Sequence, residues 1–291
     1  MNHLLADNKV STLRSYLHSK LSERYGDREA SNIVHALFDE FHGWSRAELI
    51  LRASDRLGES ELLRYHFALK RMMQGEPLQY VLGFGWFMGM RFHTTPAALI
   101  PRPETEELVR LIAQENSKSQ PRILDIGTGS GCIAIGLKKL VQHAEVTAID
   151  VSLEALELAQ INAQSLQAEV HFEACDILNT KPQGTFDIIV SNPPYIPQSE
   201  IAIMAGHVTE HEPHLALFTP DNDALLFYRR ILELSPSLLN NGGRIYFEIH
   251  EDQADALRSL AISLVKTTPE FHNDLQGKTR MMSCSLQTTM P

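Results

Sequence analysis

The sequence predicts an α/β protein in which a small all-helical domain precedes a domain built around a mostly parallel β-sheet. Up to Gly75, apolar residues recur at helical spacing; residues 76–102 are then rich in glycine, proline and aromatic residues and have no helical period. From Arg122 onward, short apolar runs alternate with helical patterns, which is typical of a parallel sheet with helices on both faces. We therefore predict a helical bundle over 1–75, a β-hairpin linker over 76–102 and the sheet domain over 103–291.

The helical domain shows two clear local signals. Serine and glutamate in SRAE, Ser45 to Glu48, form a capping box, which predicts that a helix begins there. The segment ESELLRYHFALKRMM continues the helical pattern as far as Gln74-Gly75. An apolar stripe at helical spacing predicts the core of a bundle of about four helices; it consists of Ala30, Ile33, Val34, Leu37, Phe38 and Phe41.

The linker and the start of the sheet domain are predicted from glycine and proline. Short strands with glycine turns are expected at YVLG (80–83) and FMGMRFHTT (87–95). Pro103 suits the first residue of the following helix, where no backbone N–H is needed.

Five strands of the sheet are predicted from apolar runs: RILDI, AEVTAID, EVHFEAC, FDIIVS and RIYFEI. Ser152 caps the helix after the second of them. The tail, EFHNDLQGKTRMMSCSLQ, predicts two more strands joined at Gly277. In such sheets ligands bind at the carboxyl ends of the strands, near the switch point.

Composition and charge limit the classes of function. Of 291 residues, 43% are hydrophobic and 21% are charged, as in ordinary globular proteins. Apolar runs fall short of the ~18 residues that a membrane span needs, and no secretory signal is visible. The three cysteines form no CxxC pair, so we expect no metal site and a reducing cytoplasm.

The charge is acidic and uneven. The net charge is −10, with +1 over residues 1–75 and −11 over the remainder. This balance argues against a general nucleic-acid binder, and we expect no direct DNA binding. The sequence has no long heptad pattern or large apolar stripe, so we expect a monomer.

A glycine-rich loop, DIGTGSG, lies directly between the first strand and its helix. Glycines let the backbone turn tightly and let a ligand approach without a clash. The spacing G-x-G-x-G differs from the dinucleotide fingerprint, and a purely structural turn is the alternative. The loop residues predicted to bind a cofactor are Asp125, Gly127, Thr128, Gly129, Ser130 and Gly131.

Two further acidic residues follow the next strands and point to a nucleoside. Asp150, at the end of the second strand, can accept hydrogen bonds from both ribose hydroxyls. Asp176 can accept from an adenine amino group while Ile177 packs on the ring; a helix N-cap is the alternative for Asp176. Asp125 would repel a pyrophosphate but tolerate an ammonium group, which favours S-adenosylmethionine.

The fourth strand ends in Asn192-Pro193-Pro194-Tyr195. Two prolines in a row cannot extend a sheet ladder, and their turn presents carbonyl groups without N–H donors. Asn192 adds an acceptor oxygen, so the turn suits a partner that has N–H groups. The first and fourth strands are predicted neighbours, which places this turn opposite the glycine loop. A rigid exit from the strand is the alternative.

These motifs resemble class I S-adenosylmethionine-dependent methyltransferases that modify a planar nitrogen. LIPRPETEELV, GEPLQYVLG and EHEPHLAL make the chain similar to the peptide chain release factor N5-glutamine methyltransferases, the HemK or PrmC family. The resemblance implies a helical bundle that recognises the substrate, a β-hairpin and a seven-stranded Rossmann-like sheet. It implies S-adenosylmethionine as cofactor, S-adenosylhomocysteine as product, and protein methylation that acts on translation termination. The substrate would be the glutamine in the Gly-Gly-Gln motif of class 1 release factors. This family often has an aromatic residue at the position of Ile177.

The chemistry of an amide then suggests roles for the turn. A glutamine nitrogen is a poor nucleophile, and two acceptors that hold both of its N–H groups would aim it at the methyl group. We expect the Asn192 side-chain oxygen and the Pro193 carbonyl to be these acceptors, with Tyr195 packed on the amide. No histidine or cysteine is expected to act as a base, including His143 and Cys132.

Other polar residues lie near strand ends or turns, where an ordinary structural role is the alternative: Arg102, Glu104, Glu212 with Pro213, Glu248 and His250. Three other functions remain open. Methylation of ribosomal protein L3 would use the same turn. A DNA amino-methyltransferase would be expected to flip a base and carry a basic recognition region. A non-enzymatic S-adenosylmethionine-binding module would bind the cofactor without transfer.

Overall fold

The computed structural model describes residues 6–116, 120–203 and 211–286. Two compact units divide the chain. The smaller unit contains the residues up to Gly83 together with His211, and the larger unit begins at Phe84.

The smaller unit is helical, as predicted. Its helices are α1 (Val10–His42), α2 (Arg46–Leu51), α3 (Glu59–Met73) and α4 (Leu78–Leu82). α1 is kinked at Gly26, where φ is +76°, a value that glycine adopts without strain. The capping box at Ser45 is confirmed: its side chain accepts from the Glu48 backbone N–H, and the Glu48 carboxylate accepts from the Ser45 N–H.

The predicted apolar stripe of α1 forms the core of this unit. Ala30, Ile33, Val34, Leu37 and Phe38 are at most 3% exposed, and Phe41 is half-buried against them. The strand predicted at YVLG is wrong, because these residues belong to α4 and its C-cap. Gly83 ends the helix with φ of +78°, and Tyr80 is buried. A four-residue apolar run does not distinguish a strand from a short buried helix.

A hairpin is present within the predicted linker and belongs to the larger unit, but its strands differ from those predicted: the first follows YVLG, and the second covers only Met90–His93 of FMGMRFHTT. It comprises β1 (Phe84–Phe87) and β2 (Met90–His93), with Phe87 and Phe92 buried in the core of that unit. Both turn residues, Met88 and Gly89, have positive φ, which is the pattern of a type I′ turn.

A seven-stranded sheet forms the centre of the larger unit. Its strands are β3 (Arg122–Ile126), β4 (Glu145–Asp150), β5 (His171–Ala174), β6 (Phe186–Ser191), β9 (Leu239–Glu248), β10 (Glu270–Asn273) and β11 (Thr279–Ser285). The order across the sheet is β10-β11-β9-β6-β3-β4-β5. β11 runs antiparallel to both of its neighbours, β10 and β9, and the other four pairs are parallel, so the mostly parallel seven-stranded sheet is confirmed.

Helices and short strands complete the larger unit: α5 (Pro103–Asn116), α6 (Cys132–Leu140), α7 (Leu153–Ser165), α8 (His214–Leu217), α9 (Leu226–Leu238), α10 (Ala254–Val265), the 3-10 helices Gln198–Ile203 and Glu251–Gln253, and the paired strands β7 (Ile196–Pro197) and β8 (Phe218–Thr219). α5 begins at Pro103 and Ser152 caps α7, both as predicted. None of the helices within the described residues is long and apolar enough to cross a membrane.

The sheet is buried on both faces. Successive residues of β6 alternate between two apolar clusters, since Ile188 and Val190 pack in one and Ile189 packs in the other. This alternation fits helices on both sides of a parallel sheet. The register pairs Ile126 with Ile149 on one side and with Ser191 on the other. The loops that follow β3, β4 and β6 therefore leave the sheet at the same edge.

Candidate active site

A cavity of about 350 Å³ lies in the larger unit at the carboxyl ends of β3, β4, β5 and β6. The residues predicted from the sequence that line it are Gly127, Thr128, Gly129, Ser130, Asp150, Asp176, Ile177, Asn192, Pro193 and Pro194. Asp125, Gly131 and Tyr195 do not line it; they lie behind its wall. The motifs that the sequence placed on four separate loops thus meet around one space.

The three glycines of the first loop all have positive φ: +73° at Gly127, +54° at Gly129 and +82° at Gly131. A Cβ at Gly127 would meet nothing within 4 Å, and one at Gly129 would come 3.6 Å from Ala98. Both positions therefore leave room for a ligand. A Cβ at Gly131 would instead lie 3.1 Å from the Ala159 Cβ, so this glycine serves the packing of α6 against α7.

Asp125 lies directly beneath the glycine loop and is fully buried. Its Oδ2 accepts a hydrogen bond of 2.6 Å from the Thr128 hydroxyl. Its Oδ1 is buried and has no hydrogen-bond partner within residues 6–116, 120–203 and 211–286. Burial raises the pKa of this carboxyl to about 7, although the Thr128 hydroxyl and the Ala134 backbone N–H oppose the rise. Asp125 thus supports the glycine loop from below rather than from inside the cavity.

Asp150 is held by the backbone and faces the cavity. Its Oδ2 accepts from the Gly129 N–H and its Oδ1 accepts from the Ser152 N–H, both at 2.9 Å. Burial raises its pKa, and these backbone hydrogen bonds act against the rise. Each carboxylate oxygen has two lone pairs, so both retain capacity for a ligand hydroxyl.

Asp176 has a structural role in a turn, but no helix begins after it, so it is not the helix N-cap that was the alternative. Its Oδ1 accepts from the Leu178 N–H at 3.0 Å and its Oδ2 accepts from the Asn179 side chain at 2.7 Å, which fixes the turn after β5. The neighbouring Ile177 is buried in the apolar cluster while also lining the cavity. The turn therefore presents a carboxylate beside an apolar surface.

The Asn-Pro-Pro turn is anchored to β3, the neighbouring strand of the sheet. The Ser191 hydroxyl donates to the Ile126 carbonyl at 2.7 Å, which joins the carboxyl ends of β6 and β3. Asn192, Pro193 and Pro194 then line the cavity. The predicted facing of this turn and the glycine loop is therefore observed.

Tyr195 does not line the cavity, and its packing on the substrate amide stays a prediction. Its ring packs against the apolar cluster beneath the turn, 6.1 Å from the ring of His250. Its carbonyl accepts from the Gln253 side chain at 3.0 Å. Burial raises the pKa of Tyr195 to about 12, with the charge of Glu248 adding to the shift. In this structure Tyr195 supports the turn from behind.

The remaining wall comes from two segments that sequence reasoning treated only in part. Residues 96–102 line one side, and 213–216 line the space beside them. Glu212 is 4% exposed and joins the two segments, since its carboxylate accepts from the Ile100 N–H at 3.3 Å and pairs with the Arg102 guanidinium. Arg102 and Pro213 were singled out from the sequence; Ala98 and Ile100 were not. The run of apolar residues before the prolines in AALIPRP is the sequence feature that could have indicated that Ala98 and Ile100 line the cavity.

Cys132 and His214 also line the cavity. Burial raises the pKa of the Cys132 thiol to about 12, so it is neutral at physiological pH. His143 is exposed and Glu104 lies outside the lining, so neither faces this space. Within the described parts of the chain, no cluster of histidine, cysteine and acidic residues could hold a metal ion.

The strand order, the glycine loop and the Asn-Pro-Pro turn together define a class I methyltransferase. Comparison with known proteins carries the assignment further. A release factor glutamine methyltransferase from Flavobacterium psychrophilum is 39% identical over 96% of this chain and 99% of its own length. One from Bacteroides thetaiotaomicron is 38% identical over 95% of this chain and 100% of its own length. The chain belongs to the family of release factor glutamine methyltransferases, and the resemblance seen in its motifs is confirmed.

Family models agree with this assignment, and a solved structure agrees with the fold. Residues 104–216 match the methyltransferase small domain, and residues 12–83 match the PrmC N-terminal domain. The crystal structure of a methyltransferase from Pyrococcus furiosus superposes with a TM-score of 0.51 at 19% identity, covering 79% of this chain and all of that one. At this identity the likeness supports the fold alone.

Proposed function

We propose that this enzyme transfers a methyl group from S-adenosylmethionine to the side-chain nitrogen N5 of the glutamine in the Gly-Gly-Gln motif of class 1 peptide chain release factors. One observation supports this most directly: the glycine loop with Asp150 and the acceptor turn at Asn192 line a single cavity. The names of the relatives supply the substrate. The reaction is expected in the cytoplasm, with the enzyme as a monomer.

The cavity residues fit S-adenosylmethionine. Asp125 is buried behind the cavity wall and would support the glycine loop through its hydrogen bond with Thr128. Gly127 and Gly129 leave the space that a side chain would fill. Asp150 would accept from the ribose hydroxyls, and Asp176 with Ile177 would hold the adenine. When bound, this cofactor supplies an electrophilic methyl group.

The enzyme's own contribution is to hold the glutamine amide. The Asn192 side-chain oxygen and the Pro193 carbonyl would each accept one N–H of the amide, which orients the nitrogen lone pair. Because neither proline of the turn has an N–H, these two positions can present only carbonyl acceptors to the amide. Holding the reacting atoms in line is worth several kcal/mol of barrier, on the order of 7–11 in the best cases.

No strong base is required in this mechanism. The amide proton becomes acidic as the new C–N bond forms, and it can then leave to water. The thiol of Cys132 is neutral, so we expect it to take no part in the proton transfer. We propose that turnover depends on Asn192 and on no histidine, so His143→Ala and His250→Ala should retain activity.

The decisive experiment measures label transfer from S-adenosylmethionine to a purified class 1 release factor. The matched substrate carries Glu in place of the glutamine of Gly-Gly-Gln, and ribosomal protein L3 and duplex DNA run in parallel. Label on the intact release factor alone is the expected result. Label on L3 or DNA would refute the substrate while keeping the cofactor assignment. Cofactor binding without any transfer would indicate a binding module.

A further inference from the structure

Glu248 is a buried carboxylate directly behind the acceptor turn. It is the last residue of β9 and is 6% exposed. The parallel register pairs Ser191 of β6 with Phe247 of β9. The next residue on each strand is then Asn192 on one side and Glu248 on the other, which makes the two side chains neighbours, and Asn192 lowers the pKa of Glu248.

The surroundings of Glu248 leave its charge without a direct ion pair. The Thr105 hydroxyl donates to its Oε2 at 2.6 Å. Arg280 is near enough to act on its charge, but this guanidinium lies 3.5 Å from Asp274 instead. Among the described residues no cation lies within salt-bridge distance of Glu248. A buried carboxylate without a paired cation is costly, so packing alone does not explain its presence.

Several titratable groups face Glu248 from the elements packed around it. Burial raises its pKa to about 7; the Thr105 hydrogen bond opposes this, Glu104 adds to it, and Arg280 and Asn192 lower it. The charge of Glu248 in turn adds to the raised pKa values of three neighbours whose main cause is burial: Tyr195, Tyr228 and Cys132.

An ionised carboxylate only accepts hydrogen bonds. The Asn192 amide must therefore present its Nδ2 to Glu248, and its Oδ1 is the atom left for another donor. A protonated Glu248 could donate as well, and the amide of Asn192 could then sit either way round. The ionised state of Glu248 thus selects the acceptor orientation of Asn192.

We propose that Glu248 is a positioning residue that holds the Asn192 amide with its carbonyl oxygen toward the substrate nitrogen. The inference rests on the proposed function, because it assigns Asn192 Oδ1 the task of accepting a substrate N–H. Glu248 itself touches neither substrate nor cofactor.

The first test is Glu248→Gln, which keeps the shape and removes the charge. A neutral amide accepts and donates, so the orientation of Asn192 is no longer selected. We expect kcat to fall by about tenfold to a hundredfold, the range of a lost charge-assisted hydrogen bond. The dissociation constant for S-adenosylhomocysteine should stay unchanged, because Glu248 lies outside the cavity lining.

The pH profile supplies a readout that a purely structural role would not move. At saturating cofactor and substrate, wild-type kcat should rise with pH through about 7 as Glu248 ionises. Glu248→Gln should remove this rise of kcat with pH. Thr105→Val keeps the carboxylate but removes the hydroxyl that lowers its pKa, so the rise of kcat should occur at higher pH. Thr105→Val also serves if Glu248→Gln fails to fold.

A second readout needs no turnover. In protein labelled with ¹⁵N-asparagine, the side-chain resonance of Asn192, identified by its loss in Asn192→Asp, should titrate between about pH 5 and about pH 9. The titration should vanish in Glu248→Gln. The proposal would be overturned if Glu248→Gln kept the wild-type kcat and its rise with pH. It would also be overturned if the chemical shift of the Asn192 side chain did not change with pH. If wild-type enzyme methylates no release factor yet Asn192 titrates with Glu248, the proposed substrate is wrong and the positioning contact stands.

Discussion

The substitution Gly131→Ala tests whether this position of the glycine loop requires glycine both for its backbone conformation and for close packing. Alanine at this position would adopt φ of +82°, which costs about 1–2 kcal/mol in the left-handed region. Its Cβ would also lie 3.1 Å from the Ala159 Cβ and from the Ile135 Cδ1. Overpacking of this kind costs about 1–3 kcal/mol. We therefore expect Gly131→Ala to lower the free energy of unfolding of the larger unit by about 2–5 kcal/mol.

Gly127→Ala is the matched control. Its φ is +73° but its Cβ would meet nothing within 4 Å, so only the backbone cost of about 1–2 kcal/mol applies. The change in unfolded-chain entropy is the same for both variants and cancels in their comparison. Gly127 lines the cavity and Gly131 does not, so Gly127→Ala should weaken S-adenosylhomocysteine binding more than Gly131→Ala.

The chain offers a selective probe for this experiment. Its two tryptophans fall in different units, Trp44 in the smaller and Trp86 in the larger. Urea unfolding followed by Trp86 fluorescence in a Trp44→Phe background reports the larger unit alone, which avoids treating two units as one transition. Equal losses of stability for the two glycine variants, or a larger loss for Gly127→Ala, would refute the packing argument.

Three further predictions concern the cofactor side of the cavity. Asp150→Asn should weaken S-adenosylhomocysteine binding at least tenfold by calorimetry, because its amide NH2 group would face the N–H of either Gly129 or Ser152, which then loses its acceptor; unchanged affinity would contradict the ribose assignment. Ser191→Ala should destabilise the larger unit by about 1–3 kcal/mol in the same urea assay, because the buried Ile126 carbonyl loses its donor. The raised pKa of Asp125 means that the folded cofactor-free state binds the proton more tightly than the unfolded chain, so the contribution of Asp125 to stability is full below its ordinary pKa of 3.8 and is lost as pH rises through about 7. Asp125→Asn should flatten this dependence in thermal unfolding, and an identical pH dependence in both proteins would count against the assignment.

Local signals in the sequence were sufficient for most of the secondary structure. The capping box at Ser45, the start of α5 at Pro103 and the cap at Ser152 each depend on residues within one helical turn. The positions of Asp150 and Asn192 followed from the carboxyl ends of their strands. Such features were predictable because the interactions that specify them are short in sequence.

The features that the sequence analysis missed depend on contacts between residues that are distant in the sequence. Residues 80–83 form a helix end rather than a strand, and the burial of Tyr80 helps to decide this. Met88 adopts φ of +53° at a turn position where asparagine or glycine is usual. Its N–H donates to the Glu106 carboxylate at 2.7 Å and its side chain packs on the core. These contacts outweigh the preference of this turn position for glycine or asparagine, and the residues next to Met88 in the sequence do not indicate them.

The sequence by itself determined the class of fold, the family and the four loops that meet at the cavity, because strand ends and glycine or proline turns are encoded locally. Only the tertiary structure decided what surrounds those loops. Glu212 joins Ile100 to Arg102, and Glu248 meets Asn192, across long stretches of chain. Contacts of this kind arise from strand order and register, and a buried carboxylate leaves no periodic pattern in the sequence from which its partner could be read.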